Sequence, residues 1–162
     1  MQTMRGIRIY LAALFIFFSG NHALMAKGGD FGAGFILGDP SGVTGKYFFS
    51  GDDAADFGFG ASSDDGFYIY GDYLKHFYNI FPVHEIALYF GVGGGFQHHD
   101  RDHRKDHNDD EYNSIDLRIP FGAEYRFTKV PLGIFLDIAP CLEIIPEVDF
   151  DLRGGLGVRY YF

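Results

Sequence analysis

The segment 97–113, reading QHHDRDHRKDHNDDEYN, carries His98, His99, His103 and His107 among six acidic residues. Imidazole and carboxylate together form the donor set of zinc, nickel and copper sites. On a helix, the i, i+4 spacing would bring His99, His103 and His107 to one face. Nothing else in the segment favours a helix, because it has no apolar stripe and every charge would face water. It reads as a solvated polar loop with no metal assigned, and metal binding stands as an alternative. The same loop could equally be the contact surface for an extracellular ligand or a host protein.

Nucleophilic chemistry has weaker support. Ser114 lies near the loop histidines, and Ser62 and Ser63 adjoin Asp64 and Asp65. Neither spacing makes a serine–histidine–acid arrangement, and serines beside polar segments are usually turn residues. Gly93-Gly94-Gly95 runs into Phe96 and the polar loop rather than into a helix, so it is no phosphate cradle. No catalytic residue and no cofactor are assigned. The chain reads as a non-enzyme.

A third set of charges is spread along the chain: Lys46, Asp56, Asp72, Asp116, Arg118, Glu124, Arg126, Asp137, Glu143, Asp149, Asp151, Arg153 and Arg159. Each alternates with apolar neighbours. In 115–127, Ile115, Leu117, Ile119, Phe121, Ala123, Tyr125 and Phe127 oppose Asp116, Arg118, Pro120, Gly122, Glu124 and Arg126. In 148–162, Val148, Phe150, Leu152, Leu156, Val158, Tyr160 and Phe162 oppose Asp149, Asp151, Arg153, Arg159 and Tyr161. A period of two is the signature of a strand with one apolar face and one polar face. Charges on the polar faces could serve an ion pathway or an acid–base site. The plainer reading is a lumen plug in which they neutralise one another, with cross-strand pairing of 116, 118, 124 and 126 against 151, 153 and 159.

The elements that must position these residues follow from the rest of the chain. Residues 1–26 resemble a removable leader, with Arg5 and Arg8 before the apolar run 9–18 and a cut after Ala26 or Ala23. That run is shorter than the roughly 20 residues of a membrane-spanning helix. Removing Arg5 and Arg8 leaves 11 of the 13 basic residues against 22 acidic ones, a formal charge of −11. Such a balance argues against nucleic acid as a partner. The single Cys141 allows no internal disulfide, while 23 glycines and 19 % aromatics suit β-structure.

Residues 27–162 divide into eight alternating segments, 30–38, 43–49, 55–61, 67–73, 86–93, 115–127, 134–143 and 148–162. The turn signals include GDPSG, SGDDA and SSDDG. The stretch 74–84 reads as an aromatic link, and bulges are expected at Pro120 and Pro140. If both termini lie on one side, every even segment ends there. Those ends carry Tyr47, Phe49, Tyr73, Tyr125, Phe127, Tyr160 and Phe162, an aromatic girdle at one interface. The same parity puts the loop 97–113 on the opposite side. The fold expected is all-β, an eight-stranded antiparallel up-and-down transmembrane barrel.

With leader, eight segments and an aromatic end at Phe162, the chain resembles the small outer-membrane barrels of the OmpA transmembrane-domain and OmpX type. The stretch 34–47 (GFILGDPSGVTGKY), with Asp56-Phe57-Gly58, also resembles uncharacterised small barrel proteins of bacterial envelopes. The first resemblance implies a monomer in the bacterial outer membrane, with outer-membrane lipid around it. It also implies recognition of the last strand by the outer-membrane assembly machinery. No periplasmic domain is expected after the last strand. The function expected is structural or surface-interacting through outer loops, around a side-chain-filled lumen. The alternatives are a metal-binding loop protein, a lipid-modifying enzyme and a small-solute channel.

Overall fold

An extended chain whose residues alternate in polarity presents two unlike faces, and a sheet of such strands hides one face by closing on itself. The computed structural model, which describes residues 29–63, 66–99 and 113–162, has nine strands: β1 (Phe31–Asp39), β2 (Ser41–Phe48), β3 (Asp53–Ala61), β4 (Gly66–Phe77), β5 (Ile86–His99), β6 (Asn113–Arg118), β7 (Phe121–Arg126), β8 (Leu132–Ile145) and β9 (Asp149–Tyr161). All pairings are antiparallel, and β9 pairs with β1 from Gly32↔Tyr161 to Asp39↔Gly154, closing the ring. β6 and β7 share both neighbours, β5 and β8, so they form one interrupted stave. The barrel has eight staves.

The apolar faces point outward. Leu117, Ile119 and Val158 are 40, 46 and 41 % exposed, whereas Arg118 and Arg159 are 1 and 0 % exposed. A water-soluble barrel would show the reverse. The end of the ring that holds both termini also holds the links 49–52, 78–85 and 127–131. Around that end, Phe49 packs on Tyr73 (5.9 Å), Tyr125 on Phe127 (4.9 Å), and Phe162 on both Tyr160 (5.0 Å) and Phe31 (6.1 Å). Tyr47, at the register of Phe31 and Ala55, is exposed on the same side.

Three local expectations are corrected. β4 does not stop at Tyr73: the alternation continues through Leu74 and His76 inward and Phe77 outward, so most of the link lies beyond Phe77. β5 and β6 extend to His99 and from Asn113, so Gln97, His98 and Ser114 belong to strands. Residues 100–112 between them lie outside the described residues, as do residues 1–28, where the leader was expected.

The bulges expected at Pro120 and Pro140 are absent. Register runs unbroken through both prolines, from Arg118↔Cys141 to Phe121↔Ile138 on one side and from Phe90↔Phe121 to Gly93↔Arg118 on the other. Gly91 N–H donates to Pro120 O at 2.8 Å, and Ile119 N–H donates to Pro140 O at 3.0 Å. Each proline sits in a two-bond pair and forfeits only the donor half. No extra residue has to be absorbed, so no bulge forms. The one shift recorded against β8 falls between Ile115 and Asp116 instead.

These two retained bonds give the first test. In hydrogen-exchange NMR of the folded protein in micelles, the Gly91 and Ile119 amides should exchange as slowly as those at mid-strand. Fast exchange at both would mean that the stave frays at its prolines.

Candidate functional site

The inward faces form a column of charge, and several long side chains reach across it to staves that are not their neighbours. Nearest the end with the termini, Lys46 Nζ donates to Glu124 Oε2 at 2.7 Å and approaches His76 Nε2 at 3.2 Å. The Tyr161 hydroxyl donates to the other oxygen of Glu124. One level further in, Arg159 donates to both oxygens of Asp56 at 2.9 Å and to Thr44 Oγ1 at 2.7 Å. Next, Arg118 Nε donates to Asp72 at 3.1 Å, and its Nη2 lies 3.5 Å from Asp137. Asp137 also accepts from the Tyr89 hydroxyl at 3.1 Å, and Asp116 accepts from the Tyr68 hydroxyl at 2.8 Å. At the far end, Arg153 bonds Gln97, Ser62 (3.1 Å) and Asp151 (2.9 Å), with Asp39 at 3.5 Å.

Aromatic rings separate the levels. The Arg159 guanidinium lies 3.7 Å from the Phe135 ring centre, Arg118 4.1 Å from Tyr70, and Arg153 4.1 Å from Tyr68. Arg159 Nε and Nη1 and Arg153 Nε have no hydrogen-bond acceptor, and stacking on a ring face partly offsets that loss. Glycine makes room for these rings. A Cβ at Gly58, Gly95 or Gly157 would fall inside the ring of Tyr70, Tyr68 or Phe135. At Gly32 it would meet the Tyr161 ring at 2.6 Å. At these four glycines the space a side chain would take is already filled by a neighbour's ring.

The chemistry available to such a column is limited. Lys46, Arg118 and Arg159 are at most 1 % exposed, which a water-filled passage beside them would not permit. Each is tied to a carboxylate.

The residues singled out from sequence are disposed as follows. Lys46, Asp56, Asp72, Asp116, Arg118, Glu124, Asp137, Arg153 and Arg159 are buried in the column. The cross-strand pairing of 116, 118, 124 and 126 with 151, 153 and 159 is not what forms. Glu124 meets Lys46, Arg118 meets Asp72 and Asp137, and Arg159 meets Asp56. In so narrow a ring, a stave two or more positions away is as near as the next one. Glu143 and Asp151 are half-buried at the far end, and Asp149 is exposed, its carboxylate accepting from the Phe150 N–H at 2.8 Å. Arg126 is half-buried at the other mouth and has no carboxylate partner among the described residues.

His76 was missed, and extending the period of two beyond Tyr73 would have found it. Of the loop histidines, His98 and His99 end β5, and His98 Nδ1 lies 2.8 Å from Asn113 Oδ1. His103 and His107 lie outside the described residues. Among the described residues no group of three or more metal-ligating side chains converges. Ser62 serves as a hydrogen-bond partner of Gln97 and Arg153, while Ser63 donates to Asp39.

A second feature lies at the mouth that bears Arg126. A pocket of about 450 Å³ opens between the links 78–85 and 127–131, lined by Tyr78, His84, Arg126, Lys129, Leu132 and Tyr161 among others. Burial pushes the Tyr78 phenol above its ordinary range, so it stays protonated as a donor.

A family model described as "Protein of unknown function (DUF3996)" matches residues 25–150. The chain belongs to that family. The match covers β1 to β8 and stops as β9 begins, so the closing strand lies beyond it. No curated protein sequence matches the chain. The crystal structure of the N-terminal β-barrel domain of Pseudomonas aeruginosa OprF is similar, with a TM-score of 0.63 and 19 % identity over 84 % of this chain and all of that one. At that identity the likeness is one of fold, and it is the fold described above.

Two tests follow from the column. Arg159→Met should cost about 3–5 kcal/mol by stranding Asp56 without its partner, and adding Asp56→Leu should recover most of it. Urea unfolding in micelles, followed by circular dichroism, measures both. Gly95→Val should cost about 1–3 kcal/mol by displacing the Tyr68 ring, and no loss there would mean the ring is free to move.

Proposed function

We propose that this chain is a monomeric outer-membrane β-barrel whose lumen is a structural plug and whose outward loops make its contacts. The observation that carries the reading is the inversion of faces, with Leu117, Ile119 and Val158 outside and Arg118 and Arg159 inside. Only a hydrocarbon surround makes that arrangement favourable around a closed sheet. On this reading the leader 1–26 directs export, and outer-membrane lipid covers the apolar belt. The aromatic strand ending at Phe162 is what the assembly machinery recognises. The end with the termini faces the periplasm, and the loop 100–112 faces outward, where an extracellular ligand or host protein would meet it. The paired column supports a role without catalysis or bulk transport.

The deciding experiment is whether the folded protein needs detergent. It should partition with outer membranes, and refold only in micelles or bilayers. A folded species in plain buffer would overturn the placement. Two further outcomes are expected: small or no conductance events in a planar bilayer, and unchanged acyl chains by mass when lipopolysaccharide is incubated with the protein. Leu136→Arg, midway along the outward face of β8, should cost about 2–4 kcal/mol in bilayers.

A further inference from the structure

Among the described residues, each buried lysine and arginine of the column has a carboxylate, and Arg126 does not. Its guanidinium lies 4.0 Å from the centre of the Tyr161 ring and 5.3 Å from that of Phe48. Its Nη2 makes only a long contact, 3.5 Å, to Gly29 O. Stacking fixes the plane of the fork and leaves its edge donors directed away from the rings. They border the pocket of about 450 Å³, within the roughly 300–1,000 Å³ of small-molecule sites. The pocket wall adds Lys129 and His84 against one acid, Glu85, in a chain whose net charge is −9. Glu85 does not neutralise Arg126: it meets that residue through its backbone, its carbonyl accepting from the Arg126 N–H at 2.9 Å. The lining also includes Phe127, Val130 and Leu132.

We propose that this mouth binds a carboxylate attached to an apolar or aromatic group, with Arg126 gripping the carboxylate and the 127–132 segment covering the apolar part. A planar guanidinium fork matches a carboxylate through two parallel N–H···O bonds. The ring beneath it removes water from one side and strengthens those bonds. Lys129 draws the anion in from the rim. The site is at the opposite end of the ring from the end of β5 at His99 and the start of β6 at Asn113, so it stands independently of what the outer loops contact.

The test uses the folded full chain in micelles and two probes that differ only at the acid, N-acetyl-phenylalanine and N-acetyl-phenylalaninamide, titrated by NMR. The acid should bind about tenfold more tightly than the amide, as a charge-assisted pair implies. Arg126→Gln should erase that difference and Arg126→Lys should keep part of it, each variant first shown by circular dichroism to be folded. Lys129→Gln, on the rim, should weaken acid binding by a smaller factor. Equal affinity for acid and amide in the unaltered protein would overturn the proposal. So would a preference that survives Arg126→Gln, or displacement of the acid by inorganic phosphate as readily as by more acid.

Discussion

The fold depends on closure. A sheet whose outer face is apolar and whose inner face is charged has no stable open form, because an open edge would expose both unpaired backbone groups and unpaired charges. Pairing β9 to β1 removes the edge and buries Lys46, Asp56, Asp72, Arg118, Glu124 and Arg159 in one column. Confinement then dictates pairing. A buried ion without a partner costs several kcal/mol, so each cation must find a carboxylate within reach across the ring. Taken alone, the pairs add little net stability. Their effect is to fix which arrangement of staves can close, since a slipped register would part Arg159 from Asp56 and Lys46 from Glu124 at once.

Space is conserved as strictly as charge. Five large inward rings, of Tyr68, Tyr70, Tyr89, Phe135 and Tyr161, lie against glycines at 95, 58, 122, 157 and 32. The pairing of a ring with a missing side chain lets a small barrel hold arginines stacked on aromatics without swelling. The prolines obey the same economy. Pro120 is fully buried in the column, and Pro140 stands across from Ile119 in the next stave. Each sacrifices one donor and leaves the register intact, so the stave is interrupted without being displaced.

The column and the mouth differ in kind. In the column the lysine and arginine charges are paired within the protein, which holds their side chains in place. At the mouth the ring widens between the links 78–85 and 127–131, and Arg126 is supported by rings instead of by an acid. Among the described residues, Arg126 is an arginine held by ring faces without a carboxylate partner.

Much of the architecture was legible in the chain. The alternation in 115–127 and 148–162, the turn signals and the parity of Tyr47, Tyr73, Phe127 and Phe162 required eight staves with one aromatic-rich end, because a strand can show its neighbours only two faces. What periodicity could not tell was the sense of those faces, since a soluble barrel has the same alternation turned inside out. Only the closed ring placed Leu117 outside and Arg118 within. Nor could it name the ion pairs. Lys46 and Glu124, Asp56 and Arg159, and Asp72 and Arg118 are joined across a lumen whose width no local pattern encodes. His76 was hidden for a simpler reason, its strand running past the point where aromatic residues blurred the alternation. The sequence by itself determined which residues share a face; the curvature of the closed sheet decided which of them touch.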